Sequence, residues 1–89
     1  MLKVSGNLNT ETASKLQEVL IPELEAGISV ILDFSELKHI SSAGLRVLLI
    51  GEKTSKSTGA KQSFRNVLPE IMDIFQMTGF SAILNFNQE

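Results

Sequence analysis

The chain has 89 residues, enough for one small domain, and 43% of them are apolar against 20% charged, a balance that excludes a disordered segment. It contains no cysteine, which removes disulfides, thiolate metal sites and cysteine nucleophiles. The 8 basic and 10 acidic side chains give a net charge of -2, and with no Trp or Tyr for base stacking the composition argues against nucleic-acid binding. No apolar run approaches the ~18 residues that a bilayer span needs, and the N-terminus lacks a signal-peptide layout. No membrane insertion is expected, and the cytoplasm is the expected compartment.

Leu2 to Leu8 alternates apolar and polar residues, which predicts a half-buried strand. Asn9-Thr10-Glu11-Thr12 supplies helix-start chemistry, because short polar side chains accept bonds from orphan N–H groups. Ala13, Leu16, Leu20 and Leu24 then follow at steps of three or four, marking the apolar face of a first helix. Pro22 predicts a kink, or a break with one further turn, and Gly27 ends the segment. Ile28 to Phe34 is a short, mostly apolar run expected of a strand covered on both faces, with Ser35 to Ile40 as a connection.

From Ser42 to about Thr58 the pattern is helical, with Leu45, Leu48 and Leu49 inward and Gly59 as C-cap. Lys61 to Val67 predicts a strand of weak propensity. Pro69 fits the first turn of a third helix whose face is Ile71, Met72, Phe75 and Met77, ended by Thr78-Gly79. Ala82 to Phe86 reads as a last strand. The order β-α-β-α-β-α-β predicts a single α/β domain, a mostly parallel four-stranded sheet packed by about three helices.

Catalytic chemistry finds little support. The one imidazole, His39, stands just before the serine pair Ser41-Ser42, but no carboxylate is placed to orient it and the segment is not a Gly-x-Ser-x-Gly elbow. His39 is instead expected in a loop, available to a partner. Scattered carboxylates lack metal-ligand spacing, and Gly44 stands outside any phosphate-binding loop, so neither a metal nor a cofactor is expected. The serine pair itself has two readings. One hydroxyl can cap the following helix, or it can carry a phosphate at the helix's positive end. Ala43 and Gly44 leave the first turn bare, either for close approach by another protein or for close packing on the sheet.

Ile40-Ser41-Ser42-Ala43-Gly44-Leu45-Arg46-Val47-Leu48-Leu49 resembles the signature of STAS domains, specifically the bacterial anti-sigma factor antagonists. The likeness extends along the chain. Ser5 to Asn9 with Thr12-Ala13 resembles the family's early element, and Ile31 to Ser35 its central strand. Asn66-Val67, Pro69 and the Phe75, Met77, Thr78, Gly79 series resemble its third helix and exit.

The resemblance implies a STAS-like fold and places Ser42 on the phosphoacceptor serine. It further implies that the unphosphorylated domain binds an anti-sigma factor with serine kinase activity, freeing the sigma factor. Phosphorylation of Ser42 ends that binding and a serine phosphatase restores it; the domain itself is no enzyme. An alternative is a STAS adaptor subunit of a transport or stress-signalling complex, never phosphorylated, in which Ser42 only caps. Partner contacts are expected at His39, Ser41, Ala43, Gly44, Arg46 and Asn9, with Arg46 equally readable as an exposed helix residue. Two departures stand out: Ser41 and Asn9 each occupy a position where many relatives carry Asp. Relatives also usually carry a strand before Leu2 and a helix after Phe86, which leads to an expected sheet edge open to a second copy.

Overall fold

The computed structural model describes the backbone of residues 2–86 and the side chains of residues 2–84. Its elements are β1 (Leu2–Leu8), α1 (Thr10–Glu25), β2 (Val30–Ile40), α2 (Ser42–Thr58), β3 (Gln62–Arg65), α3 (Pro69–Thr78), a 3-10 turn (Phe80–Ala82) and β4 (Asn85–Phe86). The sheet runs in the order β1-β2-β3-β4 and every neighbouring pair is parallel. The α/β class, the parallel sheet and the three helices therefore agree with the sequence pattern.

Burial alternates along the strands. Val30, Leu32 and Phe34 of β2 and Phe64 of β3 are buried, while Ile31, Asp33, Ser63 and Arg65 between them are half-exposed. One face of the sheet thus carries the helices and the other is open. The double-sided covering expected for β2 does not occur. Phe34, Phe64 and Phe75 meet at the centre of the core with ring centroids 5.4 to 6.4 Å apart and tilted planes. Each such pair adds about 0.5–1.5 kcal/mol beyond area burial and fastens α3 onto β2 and β3.

The boundaries differ from the sequence pattern in four places, each for a local reason. First, β2 does not stop at Phe34 but continues through the expected connection to Ile40, paired with β1 throughout. Two register shifts place extra residues in β2, between the partners of Lys3 and Ser5 and between those of Gly6 and Asn7. Each extra residue switches the pleat, so the buried positions run Phe34, Leu37, Ile40 at steps of three. That spacing does not look like a strand.

Second, α1 passes Pro22 unbroken. Pro22 and Glu18 are both exposed, so the carbonyl deprived of its partner is open to water. The C-terminus of α1 is secured by Thr58, whose hydroxyl donates to the Leu24 carbonyl at 2.8 Å. Third, Met77 is 85% exposed. It lies about 200° around the helix from Phe75, and the inward face is Ile71 and Phe75 flanked by Met72 and Ile74. Fourth, the final strand shrinks to Asn85–Phe86. The amides of Ala82, Ile83 and Leu84 are spent on the carbonyls of Gly79 and Phe80, so ladder pairing begins only afterwards.

On the open face, Asp33 Oδ1 accepts from the Ser35 N–H at 2.9 Å and from Asn66 Nδ2 at 3.3 Å. These bonds, the Ser35 amide foremost, hold the carboxyl below its ordinary value of 3.8. A depressed folded value stabilises the fold above the ordinary one, and that contribution disappears as pH falls through the depressed value. Asp33→Asn is accordingly expected to flatten the fall in melting temperature below about pH 4. Thermal melts across the acid range check this; superimposable acid limbs for variant and wild type contradict it.

Candidate regulatory site at the start of helix α2

The ends of β1 and β2 lie side by side, with Leu8 opposite Ile40. Each strand turns directly into a helix, so the starts of α1 and α2 are neighbours. At the first corner Asn9 caps α1. Its Oδ1 accepts from the amides of Glu11 and Thr12, both at 3.1 Å, and Thr12 Oγ1 accepts from the Asn9 N–H at 2.8 Å. Asn9 and Thr12 thus form a complete capping box, in keeping with the helix-start chemistry of this segment. The Asn9 side chain is consequently committed to its own helix.

At the second corner the two serines part ways. Ser41 is the N-cap by position, extended at φ -95°, and its carbonyl accepts the first helical bond from Leu45 N–H at 3.0 Å. Its side chain, however, does not cap α2. Ser41 N–H and Ser41 Oγ both donate to the Leu8 carbonyl, at 2.9 and 3.0 Å. Ser41, expected to contact a partner, is half-buried and commits its hydroxyl proton to this inward bond. Ser42, the first helical residue, is exposed, and its hydroxyl has no hydrogen-bond partner among the described residues. The first turn of α2 holds no acidic side chain, so its free amides and the positive end of the helix dipole face outward uncompensated.

Gly44 is buried, not bare surface. A Cβ there would stand 2.8 Å from Ile40 Cγ1 and 2.9 Å from Leu8 Cγ and Cδ2. Of the two readings open to Gly44, close packing on the sheet is the one realised. Arg46 is exposed one helical turn beyond Ser42 and shares its face. Ala43 is half-buried. His39 is exposed, but as part of the β2 ladder opposite Asn7, not in a loop. Among the described residues no cluster of His, Asp or Glu could hold a metal, and no helix is long and apolar enough to cross a membrane.

A shallow groove of about 220 Å³ separates α1 from α2 beside Ser42, lined by Thr10, Ser14, Gln17, Ala43, Arg46 and Ile50 among others. The α1 residues were missed in the sequence reading. Their signal was present: Thr10, Ser14 and Gln17 recur at steps of four and three on a helix, a polar stripe beside the buried Ala13.

The STAS domain family model matches residues 1–89. A Bordetella bronchiseptica protein named as a candidate anti-sigma factor antagonist, BtrV, is 31% identical over 81 residues, covering 90% of this chain and 70% of that protein. The anti-sigma-B factor antagonist of Bacillus subtilis is 23% identical over 86 residues, covering 97% and 79%. Among solved structures, the anti-sigma factor antagonist SpoIIAA in its unphosphorylated form has a TM-score of 0.77 at 15% identity, covering 98% of this chain and 76% of that one. A candidate anti-sigma factor antagonist from Thermotoga maritima gives 0.85 at 21% identity, covering 96% and 74%. The structural matches establish likeness of fold, and the family model spans the whole sequence: this chain belongs to the STAS domain family.

Proposed function

We propose that the chain is an anti-sigma factor antagonist, a regulatory binding module and not an enzyme, switched at Ser42. The observation that carries this reading is the exposed Ser42 hydroxyl at the acid-free start of α2, and the names of its relatives agree. Unphosphorylated, the domain binds an anti-sigma factor with serine kinase activity through the corner formed by His39, Ala43, Arg46 and the α1–α2 groove. The sigma factor is thereby released. In the switching step Ser42 Oγ bonds to the γ-phosphorus of the kinase's ATP, ADP leaves, and the hydroxyl proton passes to a base of the kinase. A serine phosphatase reverses the modification by hydrolysis.

The modified domain stays folded, because an added charge of about -1.5 to -2 sits at the favourable end of the helix dipole. Only the interface is spoiled. Incubation with the anti-sigma factor kinase of the same organism and ATP is expected to add one phosphate by intact mass. Ser42→Ala is expected to take up none. Absence of modification, with partner binding retained in Ser42→Asp, would instead establish the unphosphorylated adaptor, a reading favoured by the neutral Asn9 and Ser41 near the acceptor.

A second copy is a further partner. β1 pairs only with β2 among the described strands, and a groove of about 260 Å³ lined by Leu2, Val4, Leu16 and Val19 runs beside its free edge. Light scattering at high concentration is expected to report a dimer, and a monomeric mass removes this partner.

A further inference from the structure

Two adjacent hydroxyls stand at one strand-to-helix turn, yet their surroundings make them chemically unequal. Ser41 is half-buried, and its Oγ–H donates to a carbonyl 33 residues away in sequence, on Leu8, which also accepts the Ser41 N–H. Ser42 is exposed, and its hydroxyl is unbonded among the described residues. We propose that Ser41 is a latch that decides which serine of the pair can carry a phosphate: its hydroxyl is spent on Leu8, so the fold tolerates phosphate on Ser42 alone.

A phosphate ester on Ser41 replaces the donated proton with phosphorus. The group that results offers only acceptors around a charge of about -1.5 to -2, facing a carbonyl that is itself an acceptor. Two residues on, Gly44 packs α2 closely on the side chains of Leu8 and Ile40, so the helix start cannot settle nearer β1 to accommodate the group. The same ester on Ser42 leaves the latch intact and lies over the uncapped amides of α2, where no acidic side chain repels it. Ser41 is thus a positioning residue: it anchors the first turn of α2 to the end of β1 and presents its neighbour outward. The biological use of this discrimination rests on Ser42 being the acceptor of the switch, whereas the discrimination itself is a property of the fold.

The test uses the intact chain with phosphoserine encoded at position 41 or at position 42, and needs no kinase. The Ser42 phosphoprotein is expected to melt within about 4 °C of the unmodified chain. The Ser41 phosphoprotein is expected to melt about 10 °C lower or more, or to fail to fold. Ser41→Ala is expected to lose about 4–8 °C. It should also speed amide exchange at Leu45, whose N–H bonds the carbonyl of residue 41, about fivefold. Ser41→Thr, which keeps a hydroxyl on the same carbon, is expected to restore both. Equal melting of the two phosphoproteins overturns the proposal, as does a threonine variant as loose as the alanine one. Failure of the kinase to modify Ser42 would sink the switch and leave these melting results standing, so the two ideas fail separately.

Discussion

Ser42→Asp is expected to abolish anti-sigma factor binding while the domain keeps its melting temperature. Two opposing local effects of one carboxylate produce that separation. Within the free domain, an acid at the first helical position meets exposed amides and the positive dipole end, worth about 0.3–1 kcal/mol in favour of the fold. Nothing acidic in the first turn opposes it. Within a complex, the same carboxylate must be stripped of water against a surface shaped for a neutral hydroxyl. Leaving a charge unpaired in an interface costs about 2–5 kcal/mol, or roughly 30-fold to several-thousand-fold in Kd. Ser42→Ala, which adds no charge and no bulk, is expected to bind within about threefold of wild type. Calorimetric titration of both variants against the anti-sigma factor, beside thermal melts, decides the matter. Binding by Ser42→Asp at wild-type strength would place the interface elsewhere on the domain.

The structure explains why so much of this corner was legible and where legibility ended. α1 and α2 were readable because their starts carry local chemistry, Asn9 with Thr12 and the small residues after Ser41, and their faces repeat at helical spacing. The far half of β2 was not readable. Two extra residues convert its alternation into a period of three, and only pairing with β1 reveals it as a strand. The shortened β4 was lost for a similar reason, its preceding amides being captured by a tight turn.

Within the site, Asn9 bonds only to its immediate neighbours, and its place at the start of α1 was legible from the residues that follow it. The inward bond of Ser41 was not legible, because its hydroxyl partner lies on Leu8 and nothing adjacent to Ser41 announces a bond to another strand. Gly44 was left between two readings for the same reason, since the atoms that forbid a side chain there belong to Leu8 and Ile40. Local pattern thus marks the start of α2, while contacts across the sheet show what holds it in place.

That dependence on contacts across the sheet makes Gly44 the most sensitive position in the corner. Gly44→Val is expected to destabilise the domain by about 3 kcal/mol, the upper end of the range for overpacking a close contact. For a chain of this size the loss corresponds to roughly 12–24 °C in melting temperature. A Cβ alone comes within 2.9 Å of side-chain atoms on both Leu8 and Ile40, and branching at that carbon adds bulk with no rotamer to escape into. The helix-propensity gain on losing glycine is under ~1 kcal/mol and does not offset this.

Gly44→Ala brings the competing effects near balance. Its single methyl comes within 2.9 Å of Ile40 Cγ1 and of Leu8 Cγ and Cδ2, so these buried side chains must move, and the expected net loss after the helix-propensity gain is about 0–2 kcal/mol. Relief of the valine strain lifts the first turn of α2 away from Leu8 and with it the bond from Ser41. Anti-sigma factor binding should therefore fall in Gly44→Val even at temperatures where the variant is folded, and hydrogen exchange at Leu45, whose N–H bonds the Ser41 carbonyl, should rise ahead of exchange in the Phe34–Phe64–Phe75 core. A valine variant that melts like wild type would show that α2 does not depend on this contact. A loss of stability spread evenly over the core would show that the contact does not govern the presentation of Ser42.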